Sequence, residues 1–198
     1  MDHFKTLRAA TQGEYKEKGS RFLAYAFPVS SLEEVEEHLA ALKKQYYDAR
    51  HHCYAYRLGP TGAHWRANDD GEPAHTAGTP ILNHLKSLEL TNVLCVVVRY
   101  FGGTKLGASG LIRAYKAAAA SAITSEDIQE VIQTEECCIT YDYAQTNAIL
   151  RLQDQLGLSP DRQVFGERCL LCWQVPLSRI DEVKAAIADF YRANNMSQ

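Results

Sequence analysis

The sequence predicts two α+β domains, residues 1–130 and 131–198, and three observations lead to that expectation. Short apolar runs of strand character alternate with helix-spaced apolar runs along the whole chain, the mixture expected of helices layered on sheets. The pattern restarts near Glu126–Glu130. Charge divides at the same place, since residues 1–130 balance 15 basic against 15 acidic side chains, while residues 131–198 carry 6 against 9. At 198 residues and 46% hydrophobic composition, the chain has enough apolar material for a core in each part.

In the first part, Ser20–Val29 reads as a strand. Leu32, Val35, Leu39 and Leu42 then follow at helical spacing behind Ser30 and Ser31, with Glu33 and Glu34 placed to complete a cap. His51–Leu58 reads as a strand, and the polar connection from Gly59 to Thr79 shows no period of its own. A connection this long inside a compact domain points to function or mobility. Pro80–Leu90 reads as a helix, Val93–Phe101 as a strand apolar on both faces, and Leu111–Ile123 as an alanine-rich helix ending near Ser125. In the second part, Cys137, Ile139, Tyr141 and Tyr143 alternate as in a strand and lead into a helix closed by Gly157. A strand, a turn at Gly166-Glu167-Arg168, a strand to Val175 and a helix from Ser178 complete a β-α-β-β-α order. That is the ferredoxin-like order without its last strand.

Composition sets aside several functions. A formal charge of −3 gives no global attraction to nucleic acid or anionic lipid, so any such binding needs a local patch. No segment approaches the roughly 18 uninterrupted apolar residues of a membrane span, and the opening Met1-Asp2-His3-Phe4-Lys5 lacks a signal-peptide core. A cytoplasmic protein without membrane partners is the expectation. The six cysteines, Cys53, Cys95, Cys137, Cys138, Cys169 and Cys172, lie in apolar stretches and read as buried thiols rather than disulfides. Cys169 and Cys172 have CxxC spacing, but in a strand they face opposite ways and have no second pair at zinc-site spacing.

The first candidate site is Gly102-Gly103-Thr104-Lys105-Leu106-Gly107-Ala108-Ser109-Gly110, which joins a buried strand to a helix start. Such a loop exposes backbone N–H groups at the positive end of the helix dipole, and its glycines allow an anion close approach. Arg99, Lys105 and Arg113 surround it, with Ser109 or a neighbour available as a cap. The ligand read from these residues is a phosphate, a carboxylate or an acidic side chain. Neither a Walker A pattern nor G-x-G-x-x-G is present. The alternative is that the glycines only permit tight strand-to-helix packing.

The second candidate is Asn68–Pro80, where Asp69, Asp70, Glu72, His75 and Thr76 precede a helix. Asp69, Asp70 or Glu72 could hold magnesium as in a kinase, or the same residues could form turns and cap the helix, which is the preferred reading. His51 and Cys53 share a strand face beside His52, but two such groups do not make a catalytic triad. Cys53 reads as packing, and His51 remains able to line a cleft.

Asp69-Asp70-Gly71-Glu72-Pro73, then Thr76-Ala77-Gly78-Thr79-Pro80-Ile81-Leu82, then Val96–Gly107 together resemble the IMPACT/YigZ family. The similarity reaches from Asp48-Ala49 through His51 and Cys53-Tyr54-Ala55-Tyr56-Arg57 to Gly110-Leu111-Ile112-Arg113-Ala114-Tyr115, and the C-terminal half is similar to the bacterial YigZ branch. The resemblance implies an N-terminal ribosomal-protein-five domain-two-like fold, shared with elongation factor G and small-molecule kinases. It also implies a C-terminal ferredoxin-like domain similar to the last domain of elongation factor G. Eukaryotic IMPACT proteins act in translational control by competing for an activator of an initiation-factor kinase, and bacterial members resemble translation-associated or nucleic-acid-binding proteins. Three positions depart from the family pattern: His75 and Ser109 stand where glycine is usual, and His52 where asparagine is frequent.

The expected function is therefore a translation-linked regulatory or binding protein with an anion- or RNA-binding cleft formed by the two candidate segments. Its expected partners are a ribosome, RNA or a translation factor, or a phosphate-containing ligand, and no cofactor is expected. The alternative is an enzyme acting on a phosphorylated small molecule or nucleotide, with the glycine loop on phosphate and the acids on metal. A third is an interaction module without a ligand.

Overall fold

The computed structural model describes residues 2–194. They form two compact units, one of residues 4–131 and one of residues 132–194 joined by Asp2 and His3. Both mix helices with antiparallel sheet. Asp2 and His3, expected in the N-terminal domain, group instead with the second unit, where the Asp2 carboxylate accepts from the Ser178 N–H at 2.9 Å.

In the larger unit, with only His3 and Ile132 of its first and last strands falling outside it, the elements run β1 (His3–Leu7), β2 (Thr11–Glu17), β3 (Ser20–Pro28), α1 (Leu32–Gln45), β4 (His51–Leu58), β5 (His64–Asn68), α2 (Gly78–Ser87), β6 (Val93–Tyr100), α3 (Gly107–Ala122) and β7 (Ile128–Ile132). Five strands make one sheet in the order β2-β3-β6-β4-β5, with every neighbouring pair antiparallel. Strand β6 is its middle and is buried on both faces, which explains its unbroken apolar run.

The two faces carry different side chains because strand residues alternate. One face presents Phe22, Ala24, Ala26, Cys53, Ala55, Cys95 and Val97 to Ile81 and Leu85 of α2 and to Ala114, Tyr115 and Ala118 of α3. Its small residues let both helices lie close. The other face presents Leu94 and Val96 to Val35 and Leu42 of α1. Helix α1 starts where the sequence places it, with Ser31 Oγ accepting from the Glu34 N–H and the Glu34 carboxylate accepting from the Ser30 N–H at 2.7 Å.

Sequence periodicity did not reveal four of these strands, β1, β2, β5 and β7. β1 and β2 lie ahead of the first expected strand, and β5 lies inside the Gly59–Thr79 connection. β5 is an edge strand with exposed His64, Trp65 and Arg66, so no apolar alternation marks it.

The smaller unit contains β8 (Thr134–Tyr141), α4 (Thr146–Leu156), β9 (Arg162–Val164), β10 (Cys169–Pro176) and α5 (Ile180–Ala193), with sheet order β8-β10-β9. Gly157 ends α4 in the left-handed conformation, φ 61°. The core gathers Ile139, Trp173 and Leu171 from one sheet face with Ile149, Val183 and Phe190 from the helices.

The thiol reading of the cysteines needs one correction. Cys53, Cys95, Cys137 and Cys169 are buried and free, whereas Cys138 is bonded to Cys172. The antiparallel register sets these two directly opposite each other, and one strand's spacing cannot show that.

Gly102 is set by packing rather than by a ligand. A Cβ at this position would fall 1.9 Å from the Gly19 carbonyl carbon and 2.2 Å from the Ser20 nitrogen, both backbone atoms of the β2–β3 turn. Gly102→Ala is expected to lower stability by about 1–3 kcal/mol or more, read as a reduced urea midpoint at unchanged slope.

Candidate functional site

Arg99 is the last residue but one of strand β6, on the same face as Val97 and Cys95, with Phe22 and His51 directly opposite on the neighbouring strands. That face lies under α3 and the Asp69–Gly78 loop. Arg99 is 6% exposed and Glu72 brings its carboxylate onto it, Nη1 donating to Oε1 at 2.6 Å. The same oxygen accepts from the Tyr115 hydroxyl of α3 at 2.8 Å. Rings of Phe22 and Phe101 flank the guanidinium at 5.4 and 5.6 Å. Arg99 Nε is buried without a hydrogen-bond partner.

Beneath this cluster the Cys53 thiol donates to the Asp69 carbonyl at 3.0 Å and lies 3.3 Å from the Tyr115 hydroxyl. Burial pushes the Cys53 thiol and the Tyr115 phenol well above their ordinary ranges, so both stay protonated. A thiol held in that form is no nucleophile. Cys53 packs, as its aromatic strand suggests.

The acidic loop is a structural clasp. Asp69 Oδ1 accepts from the Ala77 and Gly78 N–H groups at 2.9 and 2.8 Å, and its Oδ2 accepts from the His75 N–H at 2.8 Å. It therefore caps α2 from outside the helix, and the capping alternative is the one whose hydrogen bonds are present. Asp70 Oδ2 accepts from the His52 N–H at 2.7 Å, and the His51 ring is 2.8 Å from the Asp70 carbonyl. The His52 ring is buried, and desolvation lowers its pKa. Thr76 donates to the Pro73 carbonyl at 2.7 Å. Asp69, Asp70 and Glu72 thus point at three different sets of donors. Among the described residues they do not form a group able to hold a metal ion.

His75 has φ 64°, where glycine is free of Cβ strain and other residues are not. A glycine, which the sequence resemblance leads one to expect here, would adopt that conformation without Cβ strain. The His75 side chain lines a separate hollow with Thr79 and Lys116, between α2 and α3.

A cleft of about 350 Å³ opens above the Arg99–Glu72 pair. Pro73, Phe101, Leu106, Ala108 and Leu111 form apolar walls, and Lys105 and Gly107 stand at the start of α3. The residue at the helix cap is Leu106, so no side chain caps the first turn, and that turn carries no acidic residue. Ser109 does not serve as the cap. Gly103 and Gly107 have φ 86° and 71°, the conformations that bring the chain round into the helix.

Four of the expected site residues, Glu72, Arg99, Lys105 and Gly107, line this cleft. Gly102 and Gly110 are packing positions, the latter with Leu106 Cβ 3.0 Å from where its own Cβ would stand. Gly103 and Thr104 are exposed on the loop. The expected trio of cations does not assemble. Arg99 is committed to Glu72, and Arg113 is well beyond the first turn, with a side chain 74% exposed and 3.9 Å from Glu17. Sequence reasoning missed Phe101, Tyr115 and Ser20. Ser20 Oγ accepts from the Gly102 N–H at 3.2 Å, and only the fold brings it to the loop.

Loss of one partner would strand a buried charge. Glu72→Gln is expected to cost about 3–5 kcal/mol in urea unfolding. A carboxylate present for a ligand alone would leave stability unchanged or increase it when neutralised.

Comparison with known proteins agrees with the motifs. The Impact N-terminal domain profile matches residues 18–123. The chain is 32% identical over 182 residues to the IMPACT family member YigZ of Escherichia coli, covering 89% of this chain and 88% of that one. It is 44% identical over 115 residues to YvyE of Bacillus subtilis, covering 58% of this chain and 53% of that relative, about half its length. A crystal structure of a hypothetical protein, 30% identical, superposes with a TM-score of 0.69 over 97% of this chain and 94% of that one. The chain therefore belongs to the IMPACT family, in its bacterial YigZ-like branch.

Proposed function

We propose that this protein is a translation-linked binding protein whose N-terminal cleft takes a phosphate of single-stranded RNA. One observation carries the reading: the uncapped first turn of α3 opens into a cleft that has Lys105 on its rim and Phe101, 57% exposed, on its wall. A helix start and a lysine suit a phosphate, and an exposed aromatic ring offers a neighbouring base a stacking surface. An acidic protein surface would use the cations and leave the ring without a role. The link to translation rests on the family, whose eukaryotic members the sequence resemblance associates with translational control.

The same reading assigns the larger unit to the ribosomal-protein-five domain-two-like fold. It assigns the smaller one to a ferredoxin-like fold without its last strand, supported by the order β8-β10-β9. No helix among the described residues is long and apolar enough to cross a membrane, in keeping with a cytoplasmic site of action. The enzyme alternative has less support, because Asp69, Asp70 and Glu72 are each occupied within the protein.

Fluorescence anisotropy with a labelled single-stranded RNA oligonucleotide tests the cleft. Affinity should fall steeply with salt, and Lys105→Ala should weaken it and reduce the salt slope by about one. Phe101→Ala should cost about 1–3 kcal/mol, whereas Arg113→Ala, outside the cleft, should change little. Binding that ignores Lys105 and Phe101 would move the site elsewhere. No RNA binding, together with a rise in melting temperature on adding magnesium-nucleotide, would favour the enzyme. Co-purification of ribosomal components with tagged protein tests the translation link separately.

A further inference from the structure

We infer that Cys138 and Cys172 form a reversible thiol–disulfide site on the C-terminal unit, opened and closed by exchange with small-molecule thiols and disulfides. The two cysteines are register partners on β8 and β10 and lie on the sheet face away from the core. Cys138 is exposed, whereas Cys172 is fully buried. The other four cysteines are all buried, and burial pushes the thiols of Cys53, Cys95 and Cys137 up, away from the reactive thiolate. One sulfur of the six therefore offers itself to a reagent in solution.

The surroundings suit a bond that opens without loss of the fold. The backbone register of β8 and β10 runs over eight residue pairs, from Thr134 with Pro176 to Tyr141 with Cys169, of which the joined cysteines are one. Ile139, Leu171 and Trp173 hold the opposite face of the same strands. Arg162 of the adjacent β9 places Nη2 3.5 Å from Cys172 Sγ and 3.3 Å from Glu136 Oε1. A guanidinium in that position stabilises a thiolate on Cys172.

Opening begins when a small thiolate, such as that of glutathione, attacks Cys138 Sγ. A new S–S bond forms between the reagent and Cys138, the Cys138–Cys172 bond breaks, and its electron pair leaves on Cys172 as a thiolate beside Arg162. A second small thiolate attacks the reagent sulfur of this mixed disulfide, releasing Cys138 as a thiolate. Both protein thiolates then take protons from water. The protein disulfide is reduced to two thiols, and two small thiols are oxidised to one small disulfide. The reverse sequence, with a small disulfide as oxidant, closes the bond.

The test equilibrates the full chain in glutathione buffers from reducing to oxidising, quenches with an alkylating agent and maps modified cysteines by mass spectrometry. The expected result is one disulfide, Cys138–Cys172, that forms and breaks with the buffer while the other four cysteines stay unmodified in the folded protein. Cys172→Ser should trap glutathione on Cys138, and Cys138→Ser should trap it on Cys172 about tenfold more slowly, because that sulfur is buried. Arg162→Gln, which leaves both sulfurs in place, should slow reduction by about threefold with an unchanged circular dichroism spectrum. A bond that survives excess reduced glutathione until denaturant is added would overturn the inference, as would a Cys138 no more reactive than the buried four. Stoichiometric zinc on the reduced protein that blocks closure would also overturn it, since Glu136, Cys138 and Cys172 would then be a metal site.

Discussion

The buried ion pair between Arg99 and Glu72 is the contact on which the N-terminal cleft depends. Arg99 belongs to the middle strand of the sheet, Glu72 to the loop after β5, and Tyr115, which donates to the same carboxylate oxygen, to α3. Three separate parts of the chain therefore meet at one oxygen atom. Their desolvated charges leave little freedom, because moving any of the three exposes a charge or donor to an apolar interior with no substitute partner. The cleft walls are fixed from below: Pro73 follows Glu72, Phe101 follows Arg99 by two residues, and Leu111 lies one helical turn before Tyr115.

This arrangement explains why the site was only half legible in the sequence. The glycine loop and the acidic loop stood out because both contain residues with special backbone demands. What each residue does there depends on neighbours the sequence does not display. Asp69 and Glu72 are three positions apart and both carry a carboxylate, yet one caps a helix through backbone N–H groups and the other neutralises a buried arginine. Gly102 and Gly107 occur in one loop, yet one avoids the β2–β3 turn and the other supplies a positive φ. Arg113 seemed close to the loop because helix starts are uncertain by a few residues, and α3 begins early enough to carry that side chain away from the cleft.

The fold was legible where burial imposes a period and obscure where it does not. β6 and α1 announce themselves, one buried on both faces and the other along a stripe. β5 is an edge strand whose first three residues are exposed, and β2 alternates only between exposed and partly buried positions, so neither leaves a strong apolar pattern. The Cys138–Cys172 pairing belongs to a third class. Strand register is a relation between two segments, and a single-strand pattern records which face a residue occupies but not what stands opposite.

The loop that forms one side of the cleft also carries backbone strain, and its hydrogen bonds show how that strain is held. Asp70, Gly71 and His75 all have positive φ, 38°, 85° and 64°, and for the two non-glycine residues this conformation is unfavourable. Against it stand three N–H groups bonded to Asp69, the Asp70 carboxylate on the His52 N–H, and Asn68 Oδ1 on the Asp70 N–H at 2.7 Å. A loop specified by that many bonds is ordered when the protein folds, not when a ligand arrives. The entropy of shaping the cleft wall is then borne by folding, and binding need not supply it. Histidine at position 75 acts on this folding side of the balance, because its side chain lines the hollow shared with Lys116 and is not part of the cleft lining.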